Sequence, residues 1–102
     1  MERIHKPTNK RRHEQALDRI RAMFPGVECY KQDHHQGIPD WLLLYGPYWA
    51  MLEIKKSATA PEEPNQQHWV NYYNNMSFAA IIYPENEEEV LRGLQLAFGY
   101  QG

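Results

Sequence analysis

Residues 41–45 (Trp-Leu-Leu-Leu-Tyr) and 49–54 (Trp-Ala-Met-Leu-Glu-Ile) are two strongly apolar runs separated by Gly46-Pro47, a turn signal. They read as a β-hairpin. One face of it carries Leu42, Leu44, Trp49 and Met51, and the other carries Trp41, Leu43, Tyr45, Ala50, Leu52 and Ile54. With both faces apolar, the hairpin has to sit inside a sheet that is covered on both sides. A two-sided, layered domain is the consequence.

The flanking sequence supplies the covering elements. From about residue 10 to Phe24, Ala16, Leu17, Ile20, Met23 and Phe24 recur at helical spacing, and Pro25-Gly26 ends the run. Residues 1–9 show no periodicity and read as a flexible basic arm. Val27 to Lys31 predicts a short strand, followed by a polar loop that leads into Asp40. Residues 57–64 form a second loop. Trp69, Val70 and Tyr73 give residues 65–75 an apolar helical face, and Ser77 to Tyr83 reads as a strand. Asn86 with Glu89 three residues on has the pattern of a capping box before a last helix that bears Val90, Leu91, Leu94, Ala97 and Phe98. The predicted order is helix, three strands, helix, strand, helix: an α/β domain over residues 1–102, with a mixed β-sheet flanked by helices on both faces.

Composition bounds the partners. The single cysteine, Cys29, excludes an internal disulfide and a Cys-based zinc site, and no apolar run is long enough to span a bilayer. The expectation is a soluble, cytoplasmic protein. Formal charge is −2 but unevenly spread. Arg3, Lys6, Lys10, Arg11, Arg12, Arg19, Arg21 and Lys31 all precede residue 32, opposed there by Glu2, Glu14, Asp18 and Glu28. The remaining nine acids all lie after it, against three Lys or Arg. This polarity is either a phosphate-facing end or a solvated basic tail. Glu85 and Glu87 to Glu89, at the start of the last helix, suit its dipole and are expected to face solvent.

The chemistry-bearing residues follow from register. If the hairpin turn is symmetric about Gly46-Pro47, Tyr45 faces Tyr48, Leu44 faces Trp49 and Asp40 faces Glu53. Pro47 at the third position of the turn is disfavoured in a type I turn, so a wider symmetric loop would keep this register and an asymmetric one would shift it. Opposed carboxylates stand about 5 Å apart at Cβ on one face, and Lys55 points the same way. Two such carboxylates repel unless a cation lies between them, and magnesium prefers this kind of hard oxygen donor. Phosphodiester hydrolysis is the reaction that a divalent cation and a lysine beside it can perform. The alternative is that Asp40 and Glu53 are solvent-edge acids paired with Lys55.

Gly37-Ile38-Pro39-Asp40 followed by Glu53-Ile54-Lys55 resembles the signature of the PD-(D/E)xK nuclease superfamily. From about Glu14 to Phe98 the chain is similar to small phage and archaeal members, including Holliday-junction resolvases and virus-type replication-repair nucleases. The resemblance implies a restriction-endonuclease-like core and a Mg2+-dependent endodeoxyribonuclease, with Mn2+ as a substitute. It further implies metal binding by Glu14, Asp40, Glu53 and the Ile54 carbonyl, and catalysis by Asp40, Glu53, Lys55 and Gln66. For Glu14 the residues leave a helix-dipole role open, and for Gln66 a capping role. Candidate DNA contacts are Arg11, Arg12, Lys31, His34, His35 and Lys56. A homodimer acting on branched DNA is the expected form, in the host cytoplasm if phage-encoded; nicking or flap nucleases and a non-catalytic nucleic-acid-binding module are the alternatives.

Overall fold

The computed structural model describes residues 9–33, 37–62 and 64–99. Residues 1–8 of the expected basic arm (1–9) and the loop histidines His34 and His35 lie outside the described residues, and Asn9 already belongs to the first helix. Helix α1 (Asn9–Met23) is followed by three strands, β1 (Glu28–Lys31), β2 (Trp41–Tyr45) and β3 (Tyr48–Ile54). Helix α2 (Gln66–Met76), strand β4 (Phe78–Ile82), a single 3-10 turn (Pro84–Asn86) and helix α3 (Glu87–Ala97) complete the fold. The element order is the one the apolar pattern predicts. Among the described residues, no helix is long and apolar enough to cross a membrane.

The strands form one sheet in the order β1-β2-β3-β4, antiparallel except for the parallel β3–β4 pair. A parallel pair needs a crossover, and α2 provides it. In the hairpin Tyr45 pairs with Tyr48, Leu44 with Trp49 and Trp41 with Leu52, which is the symmetric register. Gly46 makes the two-residue loop possible. Its φ of 58° followed by the ring-locked negative φ of Pro47 is the sign pattern of a type II′ turn, which suits the twist of paired strands and tolerates proline in that place.

The sheet faces divide as the hairpin pattern requires, but unequally. Leu43, Ala50, Leu52, Ile54 and Ile82 pack against Ile20 and Phe24 of α1 and against Leu91, Leu94 and the adjoining Phe98 after α3, forming the main core. Full burial of each large aliphatic side chain there contributes about 1.5–3 kcal/mol. The opposite face is thinner: Met51, Val70 and Ala79 are buried, with Leu42, Trp49, Tyr73 and Ile81 partly covered against α2.

One sequence expectation changes at the start of α3. Asn86 does not cap that helix through its side chain. Its Oδ1 accepts the Tyr83 N–H (2.9 Å) and its Nδ2 donates to the Ile81 carbonyl (3.0 Å), while Asn74 Oδ1 accepts the Ala79 N–H (3.0 Å). The two asparagines thus occupy backbone groups along the outer edge of β4, an edge that would otherwise be open to pairing with another strand. The intervening 3-10 turn, begun by Pro84, is what redirects Asn86.

Candidate active site

The segment that delivers Asp40 is fixed by three contacts. Gln32 donates through its backbone N–H to the Asp40 carbonyl (2.6 Å) and through its side-chain amide to the Pro39 carbonyl (3.0 Å). Gly37, with φ of 92°, lies against the start of α2 so closely that a Cβ there would come within 2.6 Å of the Pro64 carbonyl oxygen. Both the left-handed backbone and the close approach require glycine. Gly37→Ala is therefore expected to cost about 2 kcal/mol or more in urea unfolding and to displace Asp40; an unchanged unfolding midpoint would show that the loop is not held this way.

Asp40 immediately precedes β2, and continuing the hairpin register places it opposite Glu53. The contact is direct, with the Asp40 N–H donating to Glu53 Oε1 at 3.0 Å. Glu53 is only 5% exposed. Burial, and after it the Asp40 charge, pushes its carboxyl up to about 7, against the opposing pull of Lys55. Lys55 Nζ donates to the Pro61 carbonyl at 2.8 Å. Asp40, Glu53, Ile54, Lys55 and Lys56 share a cavity of about 350 Å³ at the end of the sheet, closed on the α1 side by His13.

The donor set fits a hard divalent cation. A buried carboxylate forced against a second one is relieved by a cation, and Asp40, Glu53 and the Ile54 carbonyl offer only oxygen. Among the described residues no three His, Cys, Asp or Glu side chains gather into a ready-made metal cluster. Magnesium, which keeps several of its waters, suits a two-carboxylate site better than zinc does.

The other predicted residues are placed as follows. Glu14 is exposed and lines grooves along the outside of α1, apart from the carboxylate cavity. Gln66, the first residue of α2, is 2% exposed, and its Oε1 has no hydrogen-bond partner among the described residues. Arg11 and Lys56 are exposed. Lys31 is exposed too, with Nζ 3.6 Å from Asp40 Oδ2 and 5.5 Å from the centre of the Trp41 ring.

Arg12 requires a correction. It is 5% exposed, its Nε donates to the Lys55 carbonyl (3.0 Å), and its Nη2 lies 3.0 Å from Glu87 Oε1, close as charges though off the angle of a hydrogen bond. A guanidinium enclosed in this way cannot reach a DNA phosphate. The expectation of a solvated acidic start to α3 is corrected at Glu87 as well, because that carboxylate takes both Arg12 and Arg19 (2.6 Å to the latter), while Arg19 also holds Glu88. Part of the basic charge of α1 is thus spent inside the molecule.

His13 is the site residue that the sequence did not disclose. Its Nδ1 accepts the Trp41 indole N–H at 2.9 Å, and the ring also hydrogen-bonds the Ile54 backbone. Burial, then the Lys31 charge, lowers its pKa, so the imidazole stays neutral near pH 7. The signal was present: His13 continues the buried row Leu17, Ile20, Phe24 toward the N-terminus at helical spacing. Burial likewise raises the Cys29 pKa, which disfavours its thiolate.

Compared with protein-family models, with curated proteins and with solved structures, the chain returns no match.

Proposed function

We propose that the chain is a metal-dependent endonuclease that hydrolyses phosphodiester bonds in DNA. The observation that carries this reading is the opposition of Asp40 and Glu53 across the β2–β3 register, with Lys55 beside them in one cavity. Asp40, Glu53 and the Ile54 carbonyl would hold Mg2+. When bound, that ion polarises the scissile phosphate and lowers the pKa of a water.

The chain's own residues do the rest. Glu53 is desolvated by its surroundings and so keeps part of its proton near neutral pH until a cation compensates its charge. Lys55, steadied by the Pro61 carbonyl, holds a positive charge at the cavity where negative charge accumulates on the phosphorane, and it orients the attacking water. His13, neutral and tied to Trp41 and Ile54, sets the position of the cavity wall and competes with neither carboxylate for the cation. Arg12 anchors the Lys55 carbonyl from behind.

Branched DNA, cut by a homodimer at a four-way junction, is the substrate form that the resemblance to the PD-(D/E)xK nucleases implies. The burial of Arg12 against Glu87, and the engagement of the exposed Arg19 by Glu87 and Glu88, favour an enzyme over a purely electrostatic binding module, whose function would need those charges unopposed at the surface. The test is incubation with a four-way junction, a flap and a linear duplex, each in Mg2+ and in EDTA. Cutting is expected in Mg2+ alone, with the junction cut fastest. Binding without cleavage of any substrate would remove the enzyme reading; junction and duplex cut at equal rates would remove the resolvase form of it.

A further inference from the structure

We propose that the groove between α1 and the β1–β2 side of the sheet is a subsite for one unpaired nucleotide of the substrate strand, next to the phosphate that is cut. The proposal rests on the nuclease reading and names a part of its substrate that the carboxylate cavity does not contact. The groove has a volume of about 470 Å³, within the usual range of small-molecule sites.

Its walls are of two kinds. Leu17 and the half-buried Trp41 form an apolar side suited to the flat face of a base, while Lys10, Arg21 and Lys31 bring cations to the rim. This combination of an aromatic platform with backbone-tracking cations is how single strands are held. Glu14 adds an acceptor for an amino or hydroxyl hydrogen of the nucleotide.

Two features tie the groove to the cavity. His13 lines both spaces and fixes Trp41 through its indole N–H, so the platform is rigid before anything binds. Lys31 stands between them, within 3.6 Å of Asp40 Oδ2 and over the Trp41 ring. Its ammonium is exposed and lies at the outer limit of ion-pair distance, so it exchanges readily onto a phosphate. Arg21 is half-exposed, with Nη1 3.4 Å from an exposed Asp18 and a further contact to the Cys29 thiol. A base whose flat face lies against Trp41 has left the stack of a duplex, which makes an unpaired nucleotide the fitting occupant.

The test uses the full chain in EDTA, so that it reads binding without cleavage. Thymidine 5′-monophosphate is titrated while the indole N–H resonance of Trp41, assigned with Trp41→Phe, is followed by NMR. We expect that resonance to shift saturably, Lys31→Met to weaken binding about tenfold, and inorganic phosphate or unphosphorylated thymidine to bind at least about tenfold more weakly than the nucleotide. Lys31 is at the surface, so its variant should fold. An unmoved Trp41 resonance, a Lys31→Met variant that binds like the wild type, or phosphate binding as tightly as the nucleotide would each overturn the proposal. Failure of the nuclease reading is recorded separately, as absence of cutting in Mg2+, and leaves this titration interpretable.

Discussion

Replacing Glu53 with glutamine is expected to abolish DNA cleavage, by a factor on the order of 10³ or more, while making the metal-free protein more stable above neutral pH. Both effects come from one carboxylate. Glu53 is buried against Asp40, and its pKa is raised from an ordinary 4.5 to about 7. Below about 4.5 the side chain is protonated whether the chain is folded or not, and it adds no pH dependence. Between the two values the unfolded chain gives up the proton first, so folding stability falls as pH rises, and the loss is complete above about 7.

Glutamine keeps the shape and removes the charge. In EDTA at pH 8, Glu53→Gln should exceed the wild type by about 2 kcal/mol, allowing for solvent at the cavity mouth, which is on the order of 10 °C in Tm for a domain of this size. Near pH 4.5 the two should converge. Addition of Mg2+ or Mn2+ at pH 8 should then raise the wild-type Tm and leave Glu53→Gln unmoved. Thermal scans at the two pH values, with and without metal, decide the matter. A wild-type midpoint indifferent to both cations would mean that Asp40 and Glu53 do not form a metal site, whatever the nuclease assay shows.

The contrast between Glu53 and its neighbours indicates what a sequence can disclose. The Asp40–Glu53 opposition was legible because a two-residue loop between apolar runs fixes register by counting, and Gly46 removes the objection that Pro47 raises. Glycine at position 37 was visible as a letter, but its reason, contact with the start of α2, depends on an element some 30 residues away. The exchange of Glu14 for His13 at the cavity wall turned on about 100° of helix rotation, and the buried row Leu17, Ile20, Phe24 contained that phase. Asn86 had the local signature of a cap, yet Pro84 inserted a 3-10 turn and gave its side chain to the edge of β4. For Arg12 the helical phase, four residues before the buried Ala16, pointed inward, but nothing near it in sequence shows that α3 will bring Glu87 against it.

That last pair yields the largest expected change in stability. Arg12→Ala should cost about 3–5 kcal/mol in urea unfolding, because it leaves Glu87 half-buried with one fewer cation and the Lys55 carbonyl without its donor. Arg19 still contacts Glu87, which places the result toward the lower end of that range. Removing both charges with Arg12→Met and Glu87→Gln should cost less than the two single changes added together, and the difference measures the coupling. Arg11→Ala, at the exposed neighbouring position, should leave the unfolding midpoint nearly unchanged while reducing the salt dependence of DNA binding by about one phosphate contact. The two arginines thus separate fold from substrate by experiment. If Arg12→Ala unfolds like the wild type and instead weakens DNA binding with a shallower salt slope, then Arg12 belongs to the phosphate-facing surface and the buried tie to Lys55 and Glu87 is wrong. If it unfolds early, the lysine of the motif strand owes its place to a contact made from the opposite side of the sheet.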